Sequence, residues 1–252
     1  MRGVLVTGAA RGIGAAVARR FADAGDRVAV HYGSSRDDAE ALVAALPGSG
    51  HVALGADLGD PAACRRLVQE AIAALGSVDV LVCNAGVAPT ATNRHVAGEA
   101  SDQDWDAAWH EMTQVNLIGP ATLAHAVAGH LIARGASGAI VNVGSRGAYR
   151  GEPEYPAYGA TKAALHAMGQ SLAVSLAPHG ISVTSVAPGF IATERQAETL
   201  SGARGQDIRA QSPWGRVGTP EEIAAAVEWL ASPEARWCSG AVLDANGASY
   251  LR

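Results

Sequence analysis

Seven short apolar runs alternate with stretches of helical periodicity, and this alternation leaves the chain few folds to choose from. The strand-like runs fall at 3–7, 27–32, 51–55, 78–83, 138–143, 181–187 and 241–244. Helix-like stretches lie between them at 13–25, 36–46, 61–75, 103–134, 157–177 and 220–231. The run Val78-Asp79-Val80-Leu81-Val82-Cys83 is apolar almost throughout rather than at every second residue, as expected of a strand covered on both faces. Strands separated by helices pair through right-handed crossovers, which make the sheet parallel. The expected fold is therefore α/β: a doubly wound, parallel, seven-stranded sheet with helices on both faces. With 252 residues, 48% of them hydrophobic, and no linker, repeat or low-complexity tract, residues 1–252 read as a single domain.

The first strand runs into Gly8-Ala9-Ala10-Arg11-Gly12-Ile13-Gly14, followed by Ile13, Val17, Phe21 and Ala24 at helical spacing. A strand, a glycine loop and a helix start form a receptor for pyrophosphate, because backbone N–H groups and the helix dipole converge there. The spacing departs from Gly-x-Gly-x-x-Gly, and a glycine-rich turn without a ligand is the alternative. Further on, Tyr158 and Lys162 lie four residues apart, so a helix projects both from one face. An ammonium about 4 Å from the phenol, at an effective dielectric near 20, stabilises the phenolate by roughly 4 kcal/mol. On that estimate Tyr158 becomes a general acid poised near neutral pH. Alone, such a pair also fits a solvated helix face.

The net charge of −5, with no Lys/Arg block, argues against nucleic acid or an anionic membrane as partner. No apolar run approaches the length of a membrane span, and no signal peptide precedes the first strand. Cys64, Cys83 and Cys238 are widely spaced, unlike a disulfide framework or metal cluster, and a reducing cytoplasm is the expected location. No His-Glu-x-x-His pair occurs; His125 and His130 read as packing or surface residues, and no metal is expected. Trp105 and Trp109, one turn apart, read as a buried helix face.

Taken in order, the motifs resemble those of the short-chain dehydrogenase/reductase family, whose fold is Rossmann-type. Thr7-Gly8-Ala9-Ala10-Arg11-Gly12-Ile13-Gly14 is similar to the cofactor loop, Asp57-Leu58 to the adenine-contacting pair and Asn84-Ala85-Gly86 to the motif closing the fourth strand. Asn116, Ser145, Tyr158 and Lys162 resemble the four catalytic residues, and Pro188-Gly189-Phe190-Ile191-Ala192-Thr193 the segment holding the nicotinamide. The resemblance covers essentially the whole chain and is nearest the 3-oxoacyl-carrier-protein reductase-like branch. It implies that Tyr158 protonates a carbonyl oxygen, Ser145 hydrogen-bonds that oxygen, and Lys162 acidifies Tyr158 and binds the nicotinamide ribose. Asn116 holds a water linking Lys162 to solvent, or is an ordinary helical asparagine. Thr193 and the backbone of Ile191 lie at the nicotinamide carboxamide.

Cofactor choice turns on the end of the second strand, Val28-Ala29-Val30-His31-Tyr32-Gly33-Ser34-Ser35-Arg36. No carboxylate stands near Tyr32 to bind ribose hydroxyls, which leaves Arg11, Ser34 and Ser35 free to hold a 2′-phosphate. Gly33 departs from members with arginine there. NADP(H) is the expected cofactor, with NAD(H) the alternative. The expected activity is reduction of a ketone, free or as a carrier-bound 3-oxoacyl thioester. The alternatives are a sugar or secondary-alcohol dehydrogenase and, in another class, a non-catalytic dinucleotide-sensing protein. Two segments break the regularity: 88–104, a polar loop, and 190–213, a candidate lid over the substrate. The charged fraction of 17% and the family resemblance point to a homo-oligomer, a tetramer.

Overall fold

The computed structural model describes residues 1–252. Seven strands form one sheet in the order β3-β2-β1-β4-β5-β6-β7, every pairing parallel. They are β1 (Gly3–Val6), β2 (Arg27–Tyr32), β3 (Val52–Gly55), β4 (Val80–Cys83), β5 (Gly138–Val143), β6 (Ile181–Pro188) and β7 (Val242–Ala245). Each expected strand is present, shifted at most two residues at an end. The order reverses between β1 and β4, and the crevice of a doubly wound sheet opens at the carboxyl ends of such a pair.

Side chains alternate across the pleat, so neighbouring residues of one strand enter different cores. Val4 and Val6 join Val28, Val30, Val80 and Val82 against Phe21 of α1 (Gly12–Asp23) and Val227 and Leu230 of α10 (Pro220–Leu230). Leu5 points the other way, with Leu81 and Ile140, against Leu67 and Leu75 of α3 (Pro61–Leu75) and Leu123 and Leu131 of α5 (Gly119–Ala133). Burial of each such side chain is worth about 1.5–3 kcal/mol, which explains runs that are apolar at every position. Helix α2 (Arg36–Ala45) adds Ala39 and Leu42 to the first core. In α1, Val17 and Phe21 are buried as the spacing predicts, whereas Ala24 is exposed just beyond the helix end.

The stretch expected as one helix over 103–134 is continuous but changes pitch. Helix α4 (Asp102–Thr113) passes through a π-helical turn, Gln114–Ile118, into α5. Contrary to the expectation from sequence, this 32-residue run is long and apolar enough to cross a membrane by length and composition. Its apolar residues Leu123, Val127 and Leu131 are spent in the second core. Segment 190–213 is not irregular: it forms a 3₁₀ turn and the short helices α8 (Ala197–Ser201) and α9 (Gly205–Ala210). A four-residue helix, α6 (Gly147–Arg150), and the 21-residue α7 (Pro156–Leu176) follow β5.

Candidate active site

A cleft of about 1180 Å³ runs along the carboxyl edge of the sheet. It exceeds the roughly 300–1,000 Å³ of an ordinary small-ligand pocket. Of the residues expected from sequence to touch cofactor or substrate, its walls include Gly8, Arg11, Gly12, Ile13 and Gly14 at one end, Ser145, Tyr158 and Lys162 near the middle, and Pro188, Gly189, Ile191 and Thr193 opposite. Ser34, Asp57, Leu58, Asn84, Ala85 and Gly86 line the same cleft.

The glycine loop is held open by its own residues. Gly8 and Gly12 adopt φ of +59° and +57°, which favour glycine. At Gly14 the constraint is space: a Cβ would lie 2.3 Å from the Gly8 carbonyl oxygen and 2.6 Å from Asn84 Nδ2. Asn84 donates from Nδ2 to the carbonyls of Thr7 (2.8 Å) and Gly8 (3.0 Å), and the backbone amides of Asn84 and Ala85 donate to Thr7 Oγ1. This asparagine therefore fastens the end of β4 to the loop. His31, a residue that sequence reading passed over, supports it from below. Its Nδ1 accepts from Gly8 N–H at 3.0 Å, so Nε2 carries the proton and donates to Ala56 O at 3.1 Å. Burial holds the imidazole below its ordinary pKa, the neutral form this pairing requires.

The cradle fits a dinucleotide. Its glycines leave room where Cβ atoms would stand, and Arg11 is exposed on the cleft wall without an ion pair or side-chain hydrogen bond. Ser34 is likewise exposed there, and no carboxylate occupies positions 31–36. Asp57 commits one carboxylate oxygen to Gly59 N–H (2.8 Å). Thr193 lies against Gly12, whose Cβ position is 3.3 Å from Thr193 Cγ2, so the segment after β6 closes over the loop.

Tyr158 and Lys162 share one face of α7, as four-residue spacing requires, with Nζ 5.9 Å from the phenol ring centroid. The electrostatic expectation fails in one respect. Lys162 Nζ donates to Val143 O at 2.9 Å, and Tyr158 is raised above its ordinary pKa by burial, with the Ser145 hydrogen bond and the Arg195 charge opposing in part. Burial brings Lys162 down to about 8. The lysine is thus tied to the end of β5 rather than to the phenol, and Tyr158 carries its proton at neutral pH. Ser145 Oγ accepts from Gly147 N–H at 3.0 Å, which leaves its own hydrogen to donate. Gly144 lets α7 come this close, because a Cβ there would sit 1.7 Å from His166 Nε2 on the helix.

Asn116 does not line the cleft. It lies in the π-helical turn, fully buried. Its Oδ1 accepts from Val87 N–H (2.7 Å) and its Nδ2 donates to Val87 O (3.1 Å) and, at 3.4 Å, to Thr161 Oγ1. π-turns are rare and concentrate at functional sites; here the turn aims an amide that clamps both backbone groups of the residue after Asn84-Ala85-Gly86. These bonds reach a residue 29 positions away rather than the helix's own turns. Gly86 is walled in by the same group, its Cβ position 3.0 Å from Asn116 Oδ1 and 3.5 Å from Lys162 Nζ.

Residues 8–247 match the family described as enoyl-(acyl carrier protein) reductase. The 3-oxoacyl-(acyl-carrier-protein) reductase of Staphylococcus aureus is 34% identical over 252 residues, covering 99% of this chain and 98% of its own. A short-chain dehydrogenase/reductase of Brucella melitensis, described as a glucose/ribitol dehydrogenase, superposes with a TM-score of 0.88 at 31% identity, over 100% of this chain and 97% of its own. The chain belongs to the short-chain dehydrogenase/reductase family. A blue fluorescent protein from a metagenomic library, solved in complex with NADPH, matches with a TM-score of 0.87 at 34% identity, covering 99% of this chain and 98% of that one. As a short-chain dehydrogenase/reductase, the protein is an oxidoreductase acting on alcohol and ketone groups.

Proposed function

We propose that this short-chain dehydrogenase/reductase is an NADPH-dependent carbonyl reductase, interconverting a ketone and a secondary alcohol. The observation that carries this reading is one continuous cleft bearing the glycine cradle, an unpaired Arg11 and, deeper in, Ser145, Tyr158 and Lys162. Arg11 and Ser34 hold the 2′-phosphate, the N–H groups at Gly12–Gly14 the pyrophosphate, and Lys162 the nicotinamide ribose through donors not used by Val143. Bound there, the nicotinamide supplies the hydride. Ser145 orients the substrate oxygen through its free hydroxyl hydrogen and stabilises the charge that grows on it. Tyr158, protonated at neutral pH, gives its phenolic hydrogen to that oxygen, so that the carbonyl carbon gains hydride and the oxygen gains a proton. Asn116 keeps the floor beside Lys162 rigid.

A 3-oxoacyl thioester is one candidate substrate, supported by the name of the Staphylococcus relative. The name of the Brucella neighbour supports a sugar alcohol oxidised by the same residues in reverse. Three unpaired cysteines, two of them buried, accord with a reducing cytoplasm, and Val174 and Trp237, 79% and 99% exposed, with assembly of copies into a tetramer. The deciding experiment follows NADPH and NADH consumption over 3-oxoacyl thioesters, cyclic ketones and keto sugars. The expected result is at least about tenfold higher kcat/KM with NADPH, as for loss of one charged hydrogen bond. Equal values with both cofactors overturn the cofactor assignment, and no turnover of any carbonyl or alcohol overturns the reductase.

A further inference from the structure

Arg146 follows the proposed catalytic Ser145, yet its side chain is only 4% exposed. Such a charge usually has a buried counter-ion, because desolvating an unpaired guanidinium is costly. Here it has none. Nη1 donates to Ser249 Oγ and Nη2 to Gln211 Oε1 (2.5 Å), and the guanidinium lies 5.1 Å from the centroid of the Phe190 ring. Arg150, one turn on and exposed, donates from Nη1 to the same Gln211 oxygen at 3.2 Å. Two like charges therefore converge on a single neutral amide oxygen. No carboxylate lies within 4.0 Å of either guanidinium. Glu152, whose carboxylate lies beside Gly147, acts on both guanidiniums only from beyond that distance, and burial pushes its carboxyl up against their pull.

An oxygen that accepts from two guanidiniums occupies the position of a carboxylate oxygen. Gln211 supplies it in neutral form from the residue capping α9, in the segment that overhangs the cleft. Both arginines and Gln211 line that cleft along with Ser145 and Tyr158. Desolvation, together with the Arg150 charge, brings Arg146 down to about 10, and the Glu152 charge opposes this only in part. We propose that Arg146 and Arg150 receive a carboxylate carried by the substrate, and that Gln211 is the neutral occupant it displaces. The substrate class is then an oxo acid rather than a neutral ketone. This inference rests on the reductase reading for the ketone, but the anion site does not depend on turnover.

Two measurements separate the claims. The first compares kcat/KM for acetoacetate and levulinate with their methyl esters, using NADPH, in wild type, Arg150→Gln and Gln211→Glu. The second measures glutarate binding by calorimetry in saturating NADP⁺, with dimethyl glutarate as control. Arg146→Gln is avoided as the main test because the residue is buried and ties Ser249 to Gln211. Wild type is expected to prefer at least one acid over its ester by about tenfold or more, and Arg150→Gln to cut that ratio by about tenfold. Gln211→Glu places a carboxylate between the arginines and is expected to abolish glutarate binding while raising Tm. Esters reduced as well as acids, together with no glutarate binding, overturn the anion site and leave the reductase standing. Arg150-dependent glutarate binding without reduction of either set, or of any carbonyl in the wider panel of thioesters, cyclic ketones and keto sugars, supports the site and overturns the reductase.

Discussion

Replacing Lys162 by Met is expected to stabilise the protein at neutral pH while removing its activity. The side chain is 4% exposed, and burial lowers its pKa from 10.5 to about 8. At about 1.36 kcal/mol per unit, the buried ammonium costs about 3 kcal/mol wherever the pH lies below the folded value. Methionine fills much of the same volume without a charge, but it leaves Val143 O without its 2.9 Å donor, a loss of about 1 kcal/mol or more. A net gain of about 1–2 kcal/mol follows at pH 7. The sign with pH is the stronger test. Between about pH 8 and pH 10.5 the unfolded chain keeps the lysine proton and the folded chain releases it, so wild type gains stability as pH rises. Urea unfolding of both proteins without cofactor, from about pH 7 to about pH 10.5, should show wild type gaining about 3 kcal/mol on the variant. A variant less stable at pH 7, with a difference that stays flat to high pH, would refute the account of Lys162 as a desolvated cation.

Tyr158→Phe removes the proton donor and little else: kcat should fall by about 10²–10⁴, with NADPH affinity by fluorescence titration changed less than about threefold. Asn116→Ala orphans the N–H and C=O of Val87, and thermal unfolding should report a loss of about 2–4 kcal/mol accompanied by a higher KM for the cofactor. Acid should destabilise through His166 and His31, whose folded pKa values lie below 6.5, His166 at about 4. The unfolded chain takes up these protons first, so stability is lost as pH falls from about 6.5 towards 4, by up to about 3 kcal/mol at His166. Denaturant midpoints at several pH values should show a shallower acid slope for His166→Asn than for wild type.

The parts legible in the sequence are those fixed by local geometry. Strand positions follow from runs that are largely apolar on both faces, because the central strands β1, β2, β4 and β5 feed both cores. The cofactor loop follows from glycines that have no room for a Cβ, and the shared face of Tyr158 and Lys162 from helical pitch. The short helices of 190–213 were not legible: helices this short bury little apolar surface of their own, here chiefly Leu200 and Ile208, so no periodicity announces them. The π-turn at Gln114–Ile118 is hidden because α5, Gly119–Ala133, is apolar on most of its faces, so the shift in phase that one extra residue imposes leaves no visible break in the pattern.

The protonation of Tyr158 shows why spacing alone misjudged the chemistry. A separation of about 4 Å and a dielectric near 20 predict a lowered phenol pKa, but both numbers depend on where the ammonium rests. It rests on Val143 O, a backbone acceptor contributed by β5, and burial then dominates both groups in opposite directions: the phenol rises and the amine falls. The same limit hides the arginine pair. Gln211 lies 65 residues from Arg146 and 61 from Arg150, so only docking of the α9 segment against α6 reveals two cations around one neutral oxygen. In both places the partner is an oxygen brought in from elsewhere in the chain, so the electrostatics of the cleft are set by tertiary contact and not by the order of the motifs.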